Sequence, residues 1–276
     1  MSQAVDPFRV TDQLQPSVLE VIAHRLETRG HHPAFAKPLT DYLDRMGVDT
    51  RNDVLDLGCG TGIATRAIAS RPGFKGSVLG IDLSDQLVQA ATRLAAGEGF
   101  SNRVHFRVGD SQNLDLPPAS FDAVTAHTLF SHLDDPAKVL AVMRRVLRPG
   151  GIIGIFDGDY ASLTFELGDE QRSRQMDDAI IASLVTNPRI LRQMPRLLKQ
   201  AGFAVAAVMP SIITEAGRAD FWKSSIESYA AIVPSAGLIT QAEAAEWRDE
   251  LMAISARGEF FSSCVYYAYV ASKDAD

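Results

Sequence analysis

The stretch that decides the fold is Asp53-Val-Leu-Asp-Leu-Gly-Cys-Gly-Thr-Gly62. Its apolar first part predicts a short buried strand over residues 53–56, and the residues that follow predict a helix over 61–70. Between them, Gly58 and Gly60 allow a tight turn and the close approach of a ligand to the backbone. The first turn of the helix presents free N–H groups. We therefore expect a ligand site between this strand and this helix.

The spacing of the glycines disfavours two phosphate-binding motifs. A dinucleotide fingerprint needs its third glycine at position 63, which is Ile63, and the glycine falls one residue early, at Gly62. A P-loop needs Gly-Lys-Ser/Thr after its spacer, and the stretch lacks it. Asp56, two residues before the first glycine, suits a cationic group such as an ammonium, which would donate a charge-assisted hydrogen bond.

The alternation of strand and helix continues outward from this turn. Further strands are predicted over residues 77–82, 104–108, 121–126 and 152–156. The intervening helices begin at Ser84 and at Asp135-Pro136 and end at glycine or proline. Short apolar strands separated by helices predict an α/β fold with a doubly wound, mostly parallel sheet covered on both faces.

Helical patterns flank this core. A leader runs from about residue 16 to 46 and is broken near His31-His32-Pro33. Beyond the core, we predict a helix over 170–185, short helices from Asn187-Pro188 and from Pro195, a strand over 203–214, a mainly helical insertion over 218–257 and a last strand over 260–272. The predicted segments are a helical leader or lid (1–50), a cofactor-binding core (51–157) and a third segment (158–276) that completes the sheet and carries the insertion.

Two more acidic residues follow predicted strands. Asp82 ends the second strand, 22 residues after Gly60, where a carboxylate can bind both hydroxyls of a ribose. Asp110, in Gly109-Asp110-Ser111 after the third strand, can accept a hydrogen bond from an adenine amino group. Since the carboxyl ends of parallel strands meet at one edge of a sheet, Asp56, Asp82 and Asp110 are predicted to line one crevice.

The chain resembles the class I S-adenosylmethionine-dependent methyltransferases in an ordered series of motifs: Asp56-Leu-Gly-Cys-Gly-Thr-Gly62, Asp82, Gly109-Asp110, Phe121-Asp-Ala-Val124 and Leu147-Arg-Pro-Gly-Gly151. The small-molecule branch, similar to quinone-biosynthesis C-methyltransferases, looks nearest. The resemblance covers about residues 51–156. It implies a seven-stranded sheet with an antiparallel final strand, and it implies S-adenosylmethionine as cofactor, with S-adenosylhomocysteine as product.

For the methionine end of the cofactor, the resemblance implies that Gly58 and Gly60 line the methionine and ribose and that Asp56 approaches the amino group. His127 would offer its backbone carbonyl near the same amino group. Arg29 in the leader is a candidate for binding the cofactor carboxylate, and a solvated helix end is the alternative for it.

For the nucleoside end, the resemblance implies that Asp82 binds the ribose hydroxyls and that Leu83 packs on the adenine. Asp110 would bind the adenine amino group, with Ser111 nearby.

The cofactor's methyl group is already activated, so the protein has mainly to align the acceptor and exclude water. A general base is needed only if the acceptor must lose a proton. The candidates are His127 and His132, since histidine exchanges protons near neutral pH, and also Asp157 and Tyr160. The alternatives are a hydrogen-bonded or solvent-facing role for each histidine, and loop capping for Asp157 in the turn-rich segment 157–159.

Four aromatic residues of the insertion either roof an acceptor pocket or form the insertion's own core: Phe221, Trp222, Tyr229 and Trp247. A roof would make the acceptor small to medium and partly apolar.

Composition limits the partners. The 276 residues carry a net charge of −7, so no basic excess favours nucleic acid. No apolar run is long enough for a membrane span, and we predict no integral membrane contact. Two cysteines, one inside the glycine turn, indicate a reducing, cytoplasmic compartment and argue against a thiolate metal cluster. We predict no metal, and a homodimer is left open.

The leading prediction is a methyltransferase that acts on a small or medium, partly apolar acceptor, whose O, N, S or C atom is left open. The alternative is a protein of the same fold that binds the cofactor in a cyclase-like or regulatory role. A nicotinamide dehydrogenase is a third possibility, which Ile63 weakens.

Overall fold

A computed structural model describes residues 6–273. Its strands are β1 (Asp53–Leu57), β2 (Ser77–Asp82), β3 (Val104–Val108), β4 (Phe121–His127), β5 (Leu147–Phe165), β6 (Phe203–Gly217) and β7 (Phe260–Lys273). Its α-helices are α1 (Pro16–His31), α2 (Pro33–Met46), α3 (Ile63–Ala69), α4 (Asp85–Gly97), α5 (Pro136–Val146), α6 (Glu170–Leu184), α7 (Ile190–Gln200), α8 (Phe221–Ile232) and α9 (Gln241–Ala256). Short 3-10 helices cover Pro7–Gln13, Val48–Thr50, Phe130–His132 and Val233–Ala236.

The seven strands form one sheet in the order β3-β2-β1-β4-β5-β7-β6. All pairs are parallel except those of β7, which runs antiparallel to β5 and to β6. The predicted mostly parallel, seven-stranded sheet is confirmed. The chain winds in opposite directions from β1 and from β4, which opens a crevice at the carboxyl ends of these two strands.

Helices cover both faces of the sheet, as the apolar strands predict. On one face, Tyr42 and Met46 of α2 and Ile68 of α3 are buried in the larger hydrophobic cluster. On the other face, Met143 of α5 and Leu198 of α7 are buried in a second cluster. The two cores fix the sheet from both sides, so its carboxyl edge is a rigid platform for a site.

Helix α2 approaches the sheet closely at Gly154 in β5. A Cβ atom at this position would overlap Met46 Sδ and would lie 3.1 Å from Tyr42 Cδ2. The absence of a side chain here lets α2 place the Tyr42 hydroxyl 3.0 Å from Thr125 Oγ1 on the adjacent strand.

The fifth strand is much longer than predicted. The sequence indicated a strand over 152–156 followed by a turn-rich segment at 157–159, and this interpretation is wrong. Residues 157–159 are extended and pair with 265–267 of β7. The long antiparallel partner, more than 100 residues away in sequence, overrides the local turn preference of Asp-Gly-Asp.

Residues 190–200 form one helix, α7, and the prediction that Pro195 starts a separate helix is wrong. Pro195 lies inside α7 and has no N–H to donate to the carbonyl of Leu191. The Tyr269 hydroxyl of β7 donates to that carbonyl instead, at 2.9 Å. A tertiary contact therefore satisfies the group that the proline leaves free.

The leader and the insertion lie together over the crevice. The leader breaks at His32, whose Nδ1 accepts the Ala34 N–H and so caps α2. Helix α1 packs against α8 of the insertion and against α4 of the core. Within residues 6–273, no helix has the length and apolar content that a membrane crossing needs.

Candidate active site

One cavity opens at the carboxyl ends of β1, β2 and β4, under α1 and α8. The cavity is lined by all the predicted cofactor-binding residues and by both candidate histidines: Arg29, Asp56, Gly58, Gly60, Asp82, Leu83, Asp110, Ser111, His127 and His132. Tyr160 also lines the cavity, and Asp157 does not. The fold therefore brings together residues spread over more than 100 positions of the chain.

The glycine turn is fastened to the end of β2. Gly58 and Gly60 have φ angles of 65° and 54°, in the left-handed region that favours glycine. The Gly60 N–H donates to Asp82 Oδ2 at 2.8 Å, and the Ser84 N–H donates to Asp82 Oδ1 at 3.0 Å. Burial raises the pKa of Asp82, and these backbone donors oppose the shift. Asp82 thus holds the turn in shape as well as facing the cavity.

Asp56 carries a carboxylate oxygen without a partner. The residue is 1% exposed, and its Oδ2 accepts the Thr65 hydroxyl at 2.5 Å. Its Oδ1 is buried and has no hydrogen-bond partner among the described residues. Burial raises the pKa of Asp56 to about 7. A positively charged donor at this place would both satisfy Oδ1 and favour the ionised form.

Asp110 shapes the turn after β3. Its Oδ1 accepts the Gln112 N–H at 2.9 Å, and its Oδ2 accepts the Asn113 side-chain amide at 2.6 Å. The turn presents Ser111, which is buried, to the cavity.

His127 ends β4 inside an aromatic wall. Its ring stacks on Phe156 with centroids 4.8 Å apart, and Nδ1 lies 3.3 Å from the Tyr42 hydroxyl. Burial and the charge of Arg29 lower the pKa of His127 to about 3. The imidazole is therefore neutral at physiological pH and a weak proton acceptor.

His132 has a buried carboxylate partner that the sequence analysis missed. Its Nδ1 lies 2.9 Å from Oδ2 of Asp6, which also accepts the Thr186 N–H and hydroxyl. The ring packs against Phe8, with centroids 4.9 Å apart. An ionised carboxylate only accepts, so the tautomer of a neutral His132 that fits this contact has the proton on Nδ1 and leaves Nε2 as an acceptor. Asp6 lies 126 residues from His132, so no local pattern could reveal the pair.

Two arginines of α1 lie one turn apart on its cavity side. Arg25 and Arg29 are each 4% exposed, so the solvated alternative for Arg29 is wrong. Arg25 donates to the Tyr229 hydroxyl at 2.7 Å, and Arg29 donates to Thr128 Oγ1 at 3.1 Å. Arg25 was not predicted as a site residue, although its i, i+4 spacing from Arg29 indicates a shared helix face.

Thr128 was also missed. It has a φ angle of 59°, which is strained for a β-branched residue. Its N–H donates to the Phe156 carbonyl at 2.6 Å, and its hydroxyl accepts from Arg29. Thr128 links the end of β4 to the leader helix. Strained backbone conformations of this kind are concentrated at functional sites.

Of the four aromatic residues of the insertion, one lines the cavity and three form the insertion's own core. Tyr229 lines the cavity. Phe221, Trp222 and Trp247 are buried in the insertion's core, where both tryptophans contact Phe165 edge-on. Asp157 is likewise structural, since it accepts the N–H and the hydroxyl of Ser131.

Comparisons with known proteins agree with this architecture. A family model described as a methyltransferase domain matches residues 54–151. Over 231 residues, the chain is 34% identical to an uncharacterised 37.1 kDa protein in transposon Tn4556 of Streptomyces fradiae, and the match covers 83% of this chain and 65% of that protein. The nocamycin O-methyltransferase of Saccharothrix syringae is 40% identical over 121 residues, 44% of this chain and 41% of that protein.

Among solved structures, the [4+2]-cyclase SpnF is similar with a TM-score of 0.64 and 19% identity, covering 99% of this chain and 98% of that chain. At this identity the likeness concerns the fold alone. The chain spans less than two thirds of the length of the two curated relatives above. The sheet order, the glycine turn and the family match lead to one conclusion: the chain carries a methyltransferase domain at residues 54–151, within the class I S-adenosylmethionine-dependent methyltransferase fold.

Proposed function

We propose that the protein transfers a methyl group from S-adenosylmethionine to a small, partly apolar acceptor, with His132 as the general base. The observation that carries the proposal is the unpartnered Asp56 Oδ1, buried beside a glycine turn in a methyltransferase domain. Relatives named as methyltransferases support methyl transfer rather than the cyclase-like or regulatory alternative.

The residues around the cavity fit this cofactor. Gly58 and Gly60 line the cavity with their backbone, and a side chain at either position would meet Leu129 or Leu26. Asp56 Oδ1 would accept from the amino group, and Arg29 would bind the carboxylate. When bound, the cofactor supplies a methyl group on a sulfonium, which needs no further activation.

Asp82, Leu83, Asp110 and Ser111 line the cavity where the ribose and adenine would be held. Each oxygen of Asp82 already accepts one backbone N–H, and its remaining lone pairs are free for hydroxyl donors.

His132 is the better of the two candidate bases. Asp6 fixes its orientation and leaves Nε2 free in a cavity-lining residue. His127, with its pKa near 3, serves instead as a neutral wall of the cavity. A hydroxyl, N–H or acidic C–H group of the methyl acceptor, placed at Nε2, would lose its proton to His132. Asp6 would stabilise the imidazolium that forms. Asp6 is a positioning residue in this scheme.

The acceptor side of the cavity is mixed in character. Apolar side chains line it together with the polar groups already described: Phe8, Leu129, Leu133, Leu184 and Val185. This lining favours an acceptor with an apolar body and a few polar groups.

The test is S-adenosylhomocysteine titration by calorimetry, followed by an acceptor library screened for S-adenosylhomocysteine release from S-adenosylmethionine. We expect binding to the wild type, and His132→Asn to lower kcat by roughly 100-fold with unchanged cofactor affinity. Asp6→Asn should lower kcat in the same direction. His24→Asn, on the leader, is the matched control. A folded wild type that gives no heat with S-adenosylhomocysteine would refute the proposal, and full activity of His132→Asn would refute the base.

Three further inferences stay predictions. They are the absence of nucleic acid among the partners, the option of a homodimer and a cytoplasmic location. The last is supported by both cysteines being buried free thiols.

A further inference from the structure

Two cationic side chains face the cavity without a counter-ion. In the part of the chain that the structure describes, neither Arg25 nor Arg29 forms an ion pair with a carboxylate, and their side-chain hydrogen bonds go to neutral hydroxyls. The Nε atom of each is buried without a partner. Other buried arginines are matched: Arg66, for example, pairs with Glu27 and Glu98.

An unmatched buried guanidinium is unfavourable, because it loses hydration and gains no compensating charge. Two of them one helical turn apart also repel, and both burial and the charge of Arg25 lower the pKa of Arg29. Arginine does not escape by losing its proton at physiological pH. Neither guanidinium is therefore balanced by a carboxylate in direct contact among the described residues, although Asp56, Asp82 and Asp110 line the same cavity. Oxyanions are the ligands that a guanidinium fork fits.

The two arginines serve different parts of the cavity. Arg29 is held by Thr128 at the end of β4 and lies over the Phe35 ring, beside His127. This is the methionine end of the proposed cofactor site.

Arg25 lies on the other side, over the ring of Tyr229 at 4.7 Å and near Phe8 at 5.8 Å. Phe8 in turn packs against His132, the proposed base. Arg25 thus belongs to the acceptor side, contributed jointly by the leader and by α8 of the insertion.

We propose that the methyl acceptor carries an oxyanion, a carboxylate or a phosphate, which Arg25 and the Tyr229 hydroxyl bind while the reactive group lies at His132. The inference rests on the proposed methyltransferase function and narrows its substrate class to anionic molecules with an apolar body. Tyr160 is a second hydroxyl that lines the same cavity and feels the charge of Arg25.

The experiment is calorimetry on the full chain with two kinds of probe. S-adenosylhomocysteine is titrated first. Phenylphosphonate and phenylacetate are then titrated into the protein saturated with it, with benzyl alcohol as the neutral control. The variants are Arg25→Met, Arg29→Met and the matched control Arg93→Met, an exposed arginine on α4.

We expect at least one of the two anions, and not benzyl alcohol, to bind the saturated wild type. The anion that binds tells a carboxylate from a phosphate. Arg25→Met should weaken that binding at least tenfold and change S-adenosylhomocysteine affinity less than threefold. Arg29→Met should weaken S-adenosylhomocysteine at least tenfold, and Arg93→Met should change nothing.

Three results would overturn the proposal: no anion binding to the saturated wild type, anion binding that Arg25→Met leaves unchanged, or a loss of S-adenosylhomocysteine affinity in Arg25→Met as large as in Arg29→Met. The last would assign both arginines to the cofactor. If Arg25→Met does not fold, Tyr229→Phe replaces it, with at least threefold weaker anion binding expected and unchanged binding overturning the proposal. If S-adenosylhomocysteine itself fails to bind, the methyltransferase proposal falls, and the anion titration of the unliganded protein still decides the role of Arg25.

Discussion

Asp56 joins a structural and a ligand-binding role in one carboxyl group. One oxygen is held by the Thr65 hydroxyl, so the side chain has a fixed orientation, and the other has no partner. Burial raises its pKa to about 7, so half of the molecules carry a neutral Asp56 near that pH when no ligand is bound. A ligand ammonium that needs the carboxylate must then compete with a proton.

Ligand affinity should therefore depend on pH with a defined sign. Below about pH 7 the proton on Asp56 opposes binding of the amino group, and above it the carboxylate is ready. We expect S-adenosylhomocysteine to bind roughly tenfold more weakly at pH 6 than at pH 8, since one pH unit below a pKa costs a factor of ten. Calorimetry at several pH values measures this. Asp56→Asn should bind weakly with a flatter profile, and a wild-type slope in that variant would contradict the assignment.

At the scale of elements, α7 depends on a partner outside itself. Pro195 interrupts its hydrogen-bond ladder, and Tyr269 from β7 satisfies the free carbonyl of Leu191 in a buried place. The contact also fixes α7 against the antiparallel strand at the middle of the long β5-β7-β6 ribbon.

Removing the hydroxyl should expose this dependence. Tyr269→Phe leaves a buried carbonyl without a donor, and we expect the free energy of unfolding to fall by about 1–3 kcal/mol. In a Pro195→Ala background the cost should shrink, since an alanine N–H can donate to Leu191. Chemical denaturation of the four proteins measures the coupling. Tyr267→Phe, whose hydroxyl forms no hydrogen bond with described residues, is the control, and equal losses for both tyrosines would contradict the explanation.

The packing of α2 on β5 gives a second prediction at this scale. Gly154→Ala inserts a methyl group against Met46 and Tyr42, and we expect about 1–3 kcal/mol of destabilisation from overpacking. Gly97→Ala, with no atom within 4 Å of the added Cβ, is the matched control and should be neutral or slightly stabilising. Thermal unfolding distinguishes the two, and a neutral Gly154→Ala would contradict the close approach.

How much of the structure the sequence predicted depended on how far apart in sequence the contacting residues lie. The ends of β2 and β3 match their predicted bounds, because local apolar runs and flanking turns determine them. The far end of β5 pairs with β7, about 100 residues away in sequence, and the continuous helix α7 contacts β7 across 78 residues. Local preference therefore misled both predictions. The same holds for the site. The sequence predicted residues at strand ends, such as Asp56, whereas Asp6 could be identified only in the folded structure.

At the scale of the whole molecule, segments from separate parts of the chain together enclose the cavity. The sheet contributes the strand ends, α1 contributes Arg25 and Arg29, and α8 contributes Tyr229. Two cations of the leader, Arg25 and Arg29, lie over the site without a counter-ion, which disfavours the attachment of the leader. Under the proposed function an anionic ligand group would remove this penalty, so we expect ligand binding to stabilise the leader.

Hydrogen exchange should report this coupling. On saturation with S-adenosylhomocysteine, we expect amide exchange in α1 to slow by tenfold or more, because Arg29 gains a counter-ion. Helix α9, which contributes no residue to the cavity lining, is the internal control and should change little. Equal protection of α1 and α9 would mean that binding stabilises the molecule uniformly and would contradict the coupling.

The insertion leaves and rejoins the sheet at a single rung, since Gly217 at the end of β6 pairs with Phe260 at the start of β7. Whatever lies between these two residues can lengthen, shorten or change its sequence without shifting the register of either strand. Asp82 ends β2 and Asp110 follows β3, on the opposite half of the sheet, and under the proposed function both would hold the nucleoside. Under the proposed function, variation between these two residues would change the acceptor side of the cavity and leave the strand ends at Asp82 and Asp110 in place, which makes the 217–260 junction suitable for exchanging segments between related chains.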